Sequence, residues 1–346
     1  MTKKQKNICL IGTVYSLFLY ILIKGYNKED IFIFTSWFPK EVSKNFKHIS
    51  LPLIVFRYGA KMYQTDSIKG ILKNITGYIT YFYTYIKLRI LLFIKTFNKD
   101  TEVYGHANNP FSFMFFENEN SYIIEDGLYN YTPYIRETHK INPIIDKLLH
   151  VCGIYFLSEY EGLGSHKNIK KVYLTNNYDH PLIKDKVEVI NIEEQWNKFS
   201  EDEKNQILNL FNFNLDKNYF NDNNTMLLLT QPFFEDNIST LEYELKIYED
   251  FIEIFKDCNI VIKPHPRDEK NYAEIFPDIE VMDKSFPIEL LNLIGIKPKV
   301  VCTIVSNAVL NFKDSEIYIY EGELESERMD DARKNLIKLI QNRKNE

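Results

Sequence analysis

"NIVIKPHPRD", residues 259–268, decides how the rest of the chain is read. Ile260, Val261 and Ile262 form a short apolar run of the kind that makes a buried strand. Pro264 and Pro266 lack an N–H and disfavour helix before them, so the chain must turn there. His265 is thus held on a stiff loop at the carboxyl end of a strand, where ligands bind in an open α/β sheet. A rigid imidazole in that place can donate to a phosphate or protonate a leaving group near neutral pH. His180-Pro181 repeats the pair inside polar "NNYDHPLIKD", with no buried strand leading in, and reads as a surface turn.

Working outward, the second half restarts a strand–helix pattern at residue 225. "TMLLLTQP" (225–232) is a buried strand ending in a loop. Residues 240–257 form an amphipathic helix with Leu241, Leu245, Tyr248, Ile252 and Phe255 on one stripe. After the His265 loop come strand 279–282, helix 287–294, strands 300–305 and 316–320, and an exposed closing helix. The first half alternates in the same way. Strands are expected at 7–12, 30–36, 51–56, 101–106, 121–126, 170–176 and 187–191, with helices over 66–97 and 134–150. Alternation of this kind implies parallel sheets with helices on their faces. The expected class is α/β, with two doubly wound, Rossmann-like domains facing a central cleft. Residues 1–200 make the first, polar 201–224 the linker, and 225–346 the second.

At 346 residues, 45% hydrophobic and 15% aromatic, the chain has ample material for two cores. A net charge of −6 argues against a nucleic-acid binder. Cys9, Cys152, Cys258 and Cys302 are scattered without metal-ligand spacing, which suits buried reduced thiols in a cytoplasmic protein. "MTKKQKN" before "ICLIGTVYSLFLYILI" imitates a targeting segment. Its apolar run is short of the ~20 residues a spanning helix needs, and Gly12-Thr13 divides it into a strand and a helix. "YFYTYIKLRILLFIKTF" (81–97) carries Lys87, Arg89 and Lys95, and suits an amphipathic helix packed on a sheet or resting on a membrane surface.

Three more strand ends carry candidate chemistry. "IIEDG" (123–127) delivers two carboxylates and a glycine; adjacent residues on extended chain point to opposite faces, so either Glu125 or Asp126 can serve as a general base. Gly127 lets the backbone turn with positive φ. Ser306 and Asn307, after "VVCTIV", can open a helix whose N–H groups hold an anion. Thr230 ends the second half's first strand, and Glu289 sits in the first turn after Pro287, placed for the helix dipole or a ribose hydroxyl. There is no GxGxxG, GxxxxGKS or DxD, which speaks against dinucleotide, P-loop and metal-chelating sugar-nucleotide readings.

"EDG" in the first half, "KPHPRD" in the second and Ser306-Asn307 some forty residues on resemble bacterial sialyltransferases. Among these the chain is similar to glycosyltransferase family 52, the lipooligosaccharide and capsule sialyltransferases; polysialyltransferases share the (D/E)(D/E)G and HP signatures. The resemblance implies the GT-B fold and transfer of sialic acid from CMP-sialic acid to a galactose-terminated oligosaccharide, with no metal and no cofactor. It gives Asp126 the general-base role, with Glu125 the alternative, and makes His265 the residue that stabilises or protonates the departing CMP. Ser306 and Asn307 would hold the phosphate, Glu289 the ribose, and Lys263-Pro264 the cytosine side, with Thr230 facing the same cleft. His106 in "YGHANNP" would touch the acceptor or serve the structure. "GTVYSL" departs from the Thr-Pro-rich entry of the group, which counts against acceptor binding near Thr13. Peripheral contact with the inner face of the cell membrane and a homodimer are compatible with this reading. Competing readings are a CDP-polyol phosphotransferase of wall or capsule synthesis and a non-catalytic capsule-assembly protein.

Overall fold

A computed structural model describes residues 6–35, 37–51, 68–95, 101–107, 111–127, 130–131, 163–213 and 224–344. The chain divides into two compact units, Met1–Lys204 and Asn205–Glu346. Apolar strands separated by helices dictate the first. Its described strands are β1 (Asn7–Ile11), β2 (Ile31–Phe34), β3 (His48–Ser50), β4 (Glu102–Gly105), β5 (Ser121–Ile124), β6 (Ile169–Leu174) and β7 (Val187–Val189). They form one sheet in the order β3-β2-β1-β4-β5-β6-β7, and every pairing is parallel. β1 and β2 are buried along their whole length, as strands covered on both faces must be.

The described helices of this unit are α1 (Val14–Lys24), α2 (Lys40–Ser43), α3 (Ile68–Lys95), α4 (Phe113–Glu117) and α5 (Ile192–Trp196), and its boundary falls inside α6 (Glu201–Leu210). On one face of the sheet Ile8, Leu10, Val103, Ile123 and Val172 share a core with Tyr85, Leu88 and Leu92 of α3 and Phe113 of α4. On the other, Tyr20 of α1 lies edge-on to Phe32 and Tyr104. The Tyr20 hydroxyl donates to buried Asp30 at 2.5 Å.

The second unit repeats the plan with five described strands, β8 (Thr225–Leu229), β9 (Asn259–Lys263), β10 (Glu280–Val281), β11 (Val300–Thr303) and β12 (Glu316–Ile319). Their order is β10-β9-β8-β11-β12, again all parallel. Its helices are α7 (Leu241–Ile254), α8 (Tyr272–Ile275), α9 (Glu289–Leu293) and α10 (Glu327–Lys344). Met226, Leu228, Ile262, Val300 and Cys302 pack with Ile247, Tyr248 and Phe251 of α7 and with Met329 of α10.

Most expected strands and helices are present, and the differences have physical causes. The strand expected at 51–56 lies outside the described residues beyond Leu51. The third strand of the sheet is instead the preceding His48–Ser50, too polar and too exposed to announce itself. The helix expected at 134–150, and Cys152, lie outside the described residues. α7 is rotated from the anticipated stripe. It buries Glu244, Ile247, Tyr248 and Phe251, while Leu241 is 37% exposed. Ile247, Tyr248 and Phe251 form the apolar face that packs into the core, and Glu244, buried beside them, is met by Lys270 at 3.0 Å. Cys9 and Cys302 are buried free thiols as expected, but Cys258 is only half-buried.

β1 and β4 approach too closely for a side chain at Gly105. Its φ is +132°, and a Cβ there would lie 1.9 Å from the Leu10 carbonyl oxygen. Gly105→Ala should therefore destabilise the protein by about 3 kcal/mol or more, read as a fall in the urea unfolding midpoint.

Candidate active site

In an open parallel sheet the place outside the strand ends where the order reverses is the ready-made binding position. In the first unit the reversal falls between β1 and β4, in the second between β8 and β11. The candidate residues assemble at these two edges, and each unit builds its own constellation.

In the first unit β1 ends at Gly12-Thr13, β4 at His106 and β5 at Glu125-Asp126-Gly127. The two carboxylates have opposite fates. Glu125 is 4% exposed. It accepts hydrogen bonds from the hydroxyls of Tyr15 (3.0 Å) and Tyr131 (2.6 Å) and from both the N–H (2.5 Å) and the hydroxyl (2.8 Å) of Thr175. So many donors leave that carboxylate little capacity for a substrate. Burial and the Glu125 charge push the Tyr131 phenol well up, so it stays a donor.

Asp126 is half-buried. Its Oδ1 accepts the Thr13 hydroxyl at 2.6 Å, and its N–H donates to Asn130 Oδ1 at 2.7 Å. Thr13 is at once the N-cap of α1, in a capping box with Ser16, so the base candidate is tied to a helix start. Gly12 makes room for it: a Cβ at Gly12 would stand 3.3 Å from Asp126 Oδ2. Gly127 has φ +104°, the turn anticipated from the sequence. His106 is buried; burial lowers its pKa while the Asp126 charge opposes the shift, which leaves a neutral ring beside the carboxylate.

In the second unit Thr230, Lys263-Pro264-His265 and Ser306-Asn307 follow β8, β9 and β11 in turn. Buried Asp268 organises the His265 loop. Its Oδ2 accepts the hydroxyls of Thr230 (2.7 Å) and Tyr272 (2.8 Å), and Thr230 in turn accepts the His265 N–H at 3.1 Å. Lys270 compensates the buried charge, 3.0 Å from Asp268, 2.9 Å from Glu235 and 3.0 Å from Glu244. His265 Nδ1 accepts the Arg267 N–H at 3.1 Å, so a neutral ring carries its proton on Nε2. Burial first, then the charges of Arg267, Lys263, Lys270 and Lys284, push its pKa down to about 3. A ring neutral at pH 7 beside basic side chains is a hydrogen-bond donor that an anion can use.

Lys263 is 5% exposed, with Nζ 4.5 Å from the Phe286 ring centroid and 3.4 Å from the Pro264 carbonyl. Burial lowers its pKa to about 7 against the opposing charges of Asp283 and Glu289. Glu289, the first residue of α9, is buried and accepts Asn311 Nδ2 at 2.9 Å. That bond ties α9 to the 3-10 turn Asn307–Asn311, which Ser306 caps by accepting the Ala308 N–H at 3.3 Å.

Sequence reading named Thr13 only to count against acceptor binding near it, and missed Tyr15, Tyr131 and Thr175 on the first unit and Asp268 and Lys270 on the second. Thr13 and Asp126 stand 113 positions apart, and Thr175 is 50 from Glu125. No local pattern joins them. Asp268 and Lys270, by contrast, lie inside "HPRDEK", and a buried histidine loop with charged successors is a signal that could have been used.

Residues 73–324 match the model of glycosyltransferase family 52. The chain belongs to glycosyltransferase family 52. An uncharacterized protein of Haemophilus influenzae is 28% identical over 323 residues, which span 91% of this chain and 94% of that relative. Among solved structures, a Photobacterium 2,6-sialyltransferase in a ternary complex with CMP and lactose superposes with TM-score 0.54 at 13% identity, over 97% of this chain and 76% of that one. The GT-B domain of a sialyltransferase from Photobacterium damselae gives 0.53 at 12% identity, over 97% and 96% of the two chains. At such identities the likeness is one of fold, and the fold of this family 52 glycosyltransferase is GT-B.

Two variants test these constellations. In Gly12→Ala the new methyl displaces Asp126 by a few tenths of an ångström; turnover should fall roughly tenfold while the thermal midpoint hardly moves. Asp268→Ala leaves the buried hydroxyls of Thr230 and Tyr272 without their acceptor and should cost about 1–3 kcal/mol for each in chemical denaturation.

Proposed function

We propose that this family 52 glycosyltransferase is an inverting sialyltransferase. It would move sialic acid from CMP-sialic acid to a galactose-terminated glycan of the capsule or lipooligosaccharide, working in the cytoplasm at the inner face of the cell membrane. Each unit supplies one observation that carries the reading: in the first, Asp126 is held by Thr13, and in the second, His265 is a neutral Nε2–H donor. The Photobacterium structure holding CMP and lactose supports it at the level of fold.

In the reaction the acceptor hydroxyl oxygen forms a bond to the anomeric carbon of sialic acid while the bond from that carbon to the CMP phosphate oxygen breaks. Its electron pair leaves with CMP, and Asp126 takes the hydroxyl proton. The new bond forms opposite the one lost, which inverts the centre. Charge then develops on the departing phosphate, where preorganised donors are worth most. On this reading His265 donates its Nε2–H to that oxygen, and Lys263, Lys284 and Arg267 supply positive potential. The low pKa favours stabilisation over full proton transfer: the ring is neutral until a phosphate's charge raises its proton affinity.

Ser306 and Asn307 complete the phosphate site, Glu289 takes the ribose, Lys263-Pro264 the cytosine side, and Thr230 holds the loop. His106, beside Asp126, is left for the acceptor. We assign Asp126 rather than Glu125 as base because Glu125 is buried under hydrogen bonds from three residues. A divalent cation has no part in the scheme, since side-chain cations meet the leaving charge.

The test is CMP release from CMP-sialic acid with lactose. Asp126→Ala should lose about 10²–10⁴-fold in kcat and still bind CMP by calorimetry. His265→Ala should lose both rate and CMP affinity, and EDTA should leave the wild-type rate unchanged. Near-normal turnover in Asp126→Ala would remove the base assignment, and no CMP release by the wild type would end the reading.

A further inference from the structure

We propose that the carboxamide of Asn130 holds the acceptor sugar, by donating to a hydroxyl that neighbours the nucleophilic one. Asn130 stands four positions after Asp126, in the turn that leaves β5. Its side-chain oxygen accepts the Asp126 N–H at 2.7 Å, and its own N–H closes the turn on the Gly127 carbonyl at 3.1 Å. An N–H needs an acceptor, so the first of these bonds fixes which end of the amide is oxygen and leaves Nδ2 for another partner. None is present. Asn130 is 2% exposed, and among the described residues its Nδ2 is a buried donor with no hydrogen bond. Buried donors left unmet are costly and rare in native proteins, so each asks for a reason. In the first unit the other buried side-chain polar atom without a partner is Asn7 Oδ1. It lies at the amino end of β1, the opposite edge of the sheet from Asp126.

Room and charge say what the missing partner is. Gly127, between Asp126 and Asn130, has φ +104°, and a Cβ there would meet nothing within 4 Å. The turn is therefore open at Gly127, next to the half-buried Asp126. Glu125 and Asp126 occupy the same strand end, and burial keeps the nearby His106 ring neutral. A phosphate or carboxylate oxygen would meet like charge there. An uncharged hydroxyl oxygen can accept from Nδ2 and still donate its own proton onward. Sugars carry hydroxyls on adjacent carbons. One sugar can thus present its nucleophilic O–H to Asp126 and a neighbouring oxygen to Asn130, and two such points fix the attacking oxygen better than one. A site built this way rejects a sugar that lacks the second hydroxyl. The assignment rests on the sialyl-transfer reading for the acceptor and adds the residue that selects it.

The test uses the full chain with CMP-sialic acid and lactose. Asn130→Asp keeps an oxygen for the Asp126 N–H but puts a second acceptor where the donor was. KM for lactose should rise roughly tenfold or more, while kcat and the slow hydrolysis of CMP-sialic acid without lactose stay within about twofold. Among lactose analogues that each lack one galactose hydroxyl, one that keeps the nucleophile should cost the wild type roughly tenfold in kcat/KM and cost Asn130→Asp almost nothing. In the isotopically labelled wild type, lactose added with CMP should shift the Asn130 side-chain amide resonances. Hydrolysis by the wild type reports the donor chemistry separately, so failure of the Asn130 assignment leaves the sialyl-transfer reading standing. An unchanged KM in Asn130→Asp, or amide resonances that ignore lactose, would overturn the proposal. So would equal losses of transfer and hydrolysis, since Asn130 would then only support Asp126, and so would analogue penalties that are the same in both enzymes.

Discussion

In a parallel sheet every strand delivers its carboxyl end to the same edge, and the chemistry of this protein depends on that constraint. It lets Gly12-Thr13 meet Asp126 across 113 positions of sequence, and lets Thr230 support the backbone of His265 across 35. Neither contact needs a specialised loop, only strands in register and an order that reverses beside β1 or β8. The close approach of β4 to β1 that creates the first of these edges also demands glycine at position 105.

Charge burial is the second organising force, and the two units use it differently. The first satisfies a buried carboxylate, Glu125, with neutral donors, which fixes the β5 end and leaves its neighbour Asp126 half-buried with one oxygen oriented by Thr13. The second buries the carboxylates Asp268 and Glu244 with the ammonium of Lys270 among them. Burial pushes the Glu244 pKa up and the lysine pulls it back. Removing one partner from such a cluster costs far more than the cluster is worth against an apolar replacement. Such a network holds the conformation of the histidine loop through Asp268, Thr230 and the His265 N–H rather than adding net stability.

α3 shows the same helix serving two environments. Its buried row closes the core of the first unit, and its exposed row is apolar where solvent would favour charge. Folding alone explains the first row.

What the sequence determined by itself is everything whose signal is local. Apolar runs bounded by Gly, Pro and polar clusters located nearly all the described strands, because strand burial depends on a few consecutive residues. The Pro-His-Pro and Glu-Asp-Gly turns marked strand ends for the same reason. The polar strand His48–Ser50 escaped, since an exposed edge strand needs no apolar residues. The face α7 buries escaped too, because that helix offers two overlapping apolar stripes and only packing selects the one with Ile247, Tyr248 and Phe251. The split between Glu125 and Asp126 was decided by tertiary structure alone. Two adjacent carboxylates are equivalent in sequence until Thr175 and Tyr15 arrive from distant segments, with Tyr131 from the following turn, to engage one of them, and Thr13 arrives to aim the other. Hydrogen-bond donors are chosen by proximity in space, and proximity across a sheet edge is not written in the order of residues along the chain.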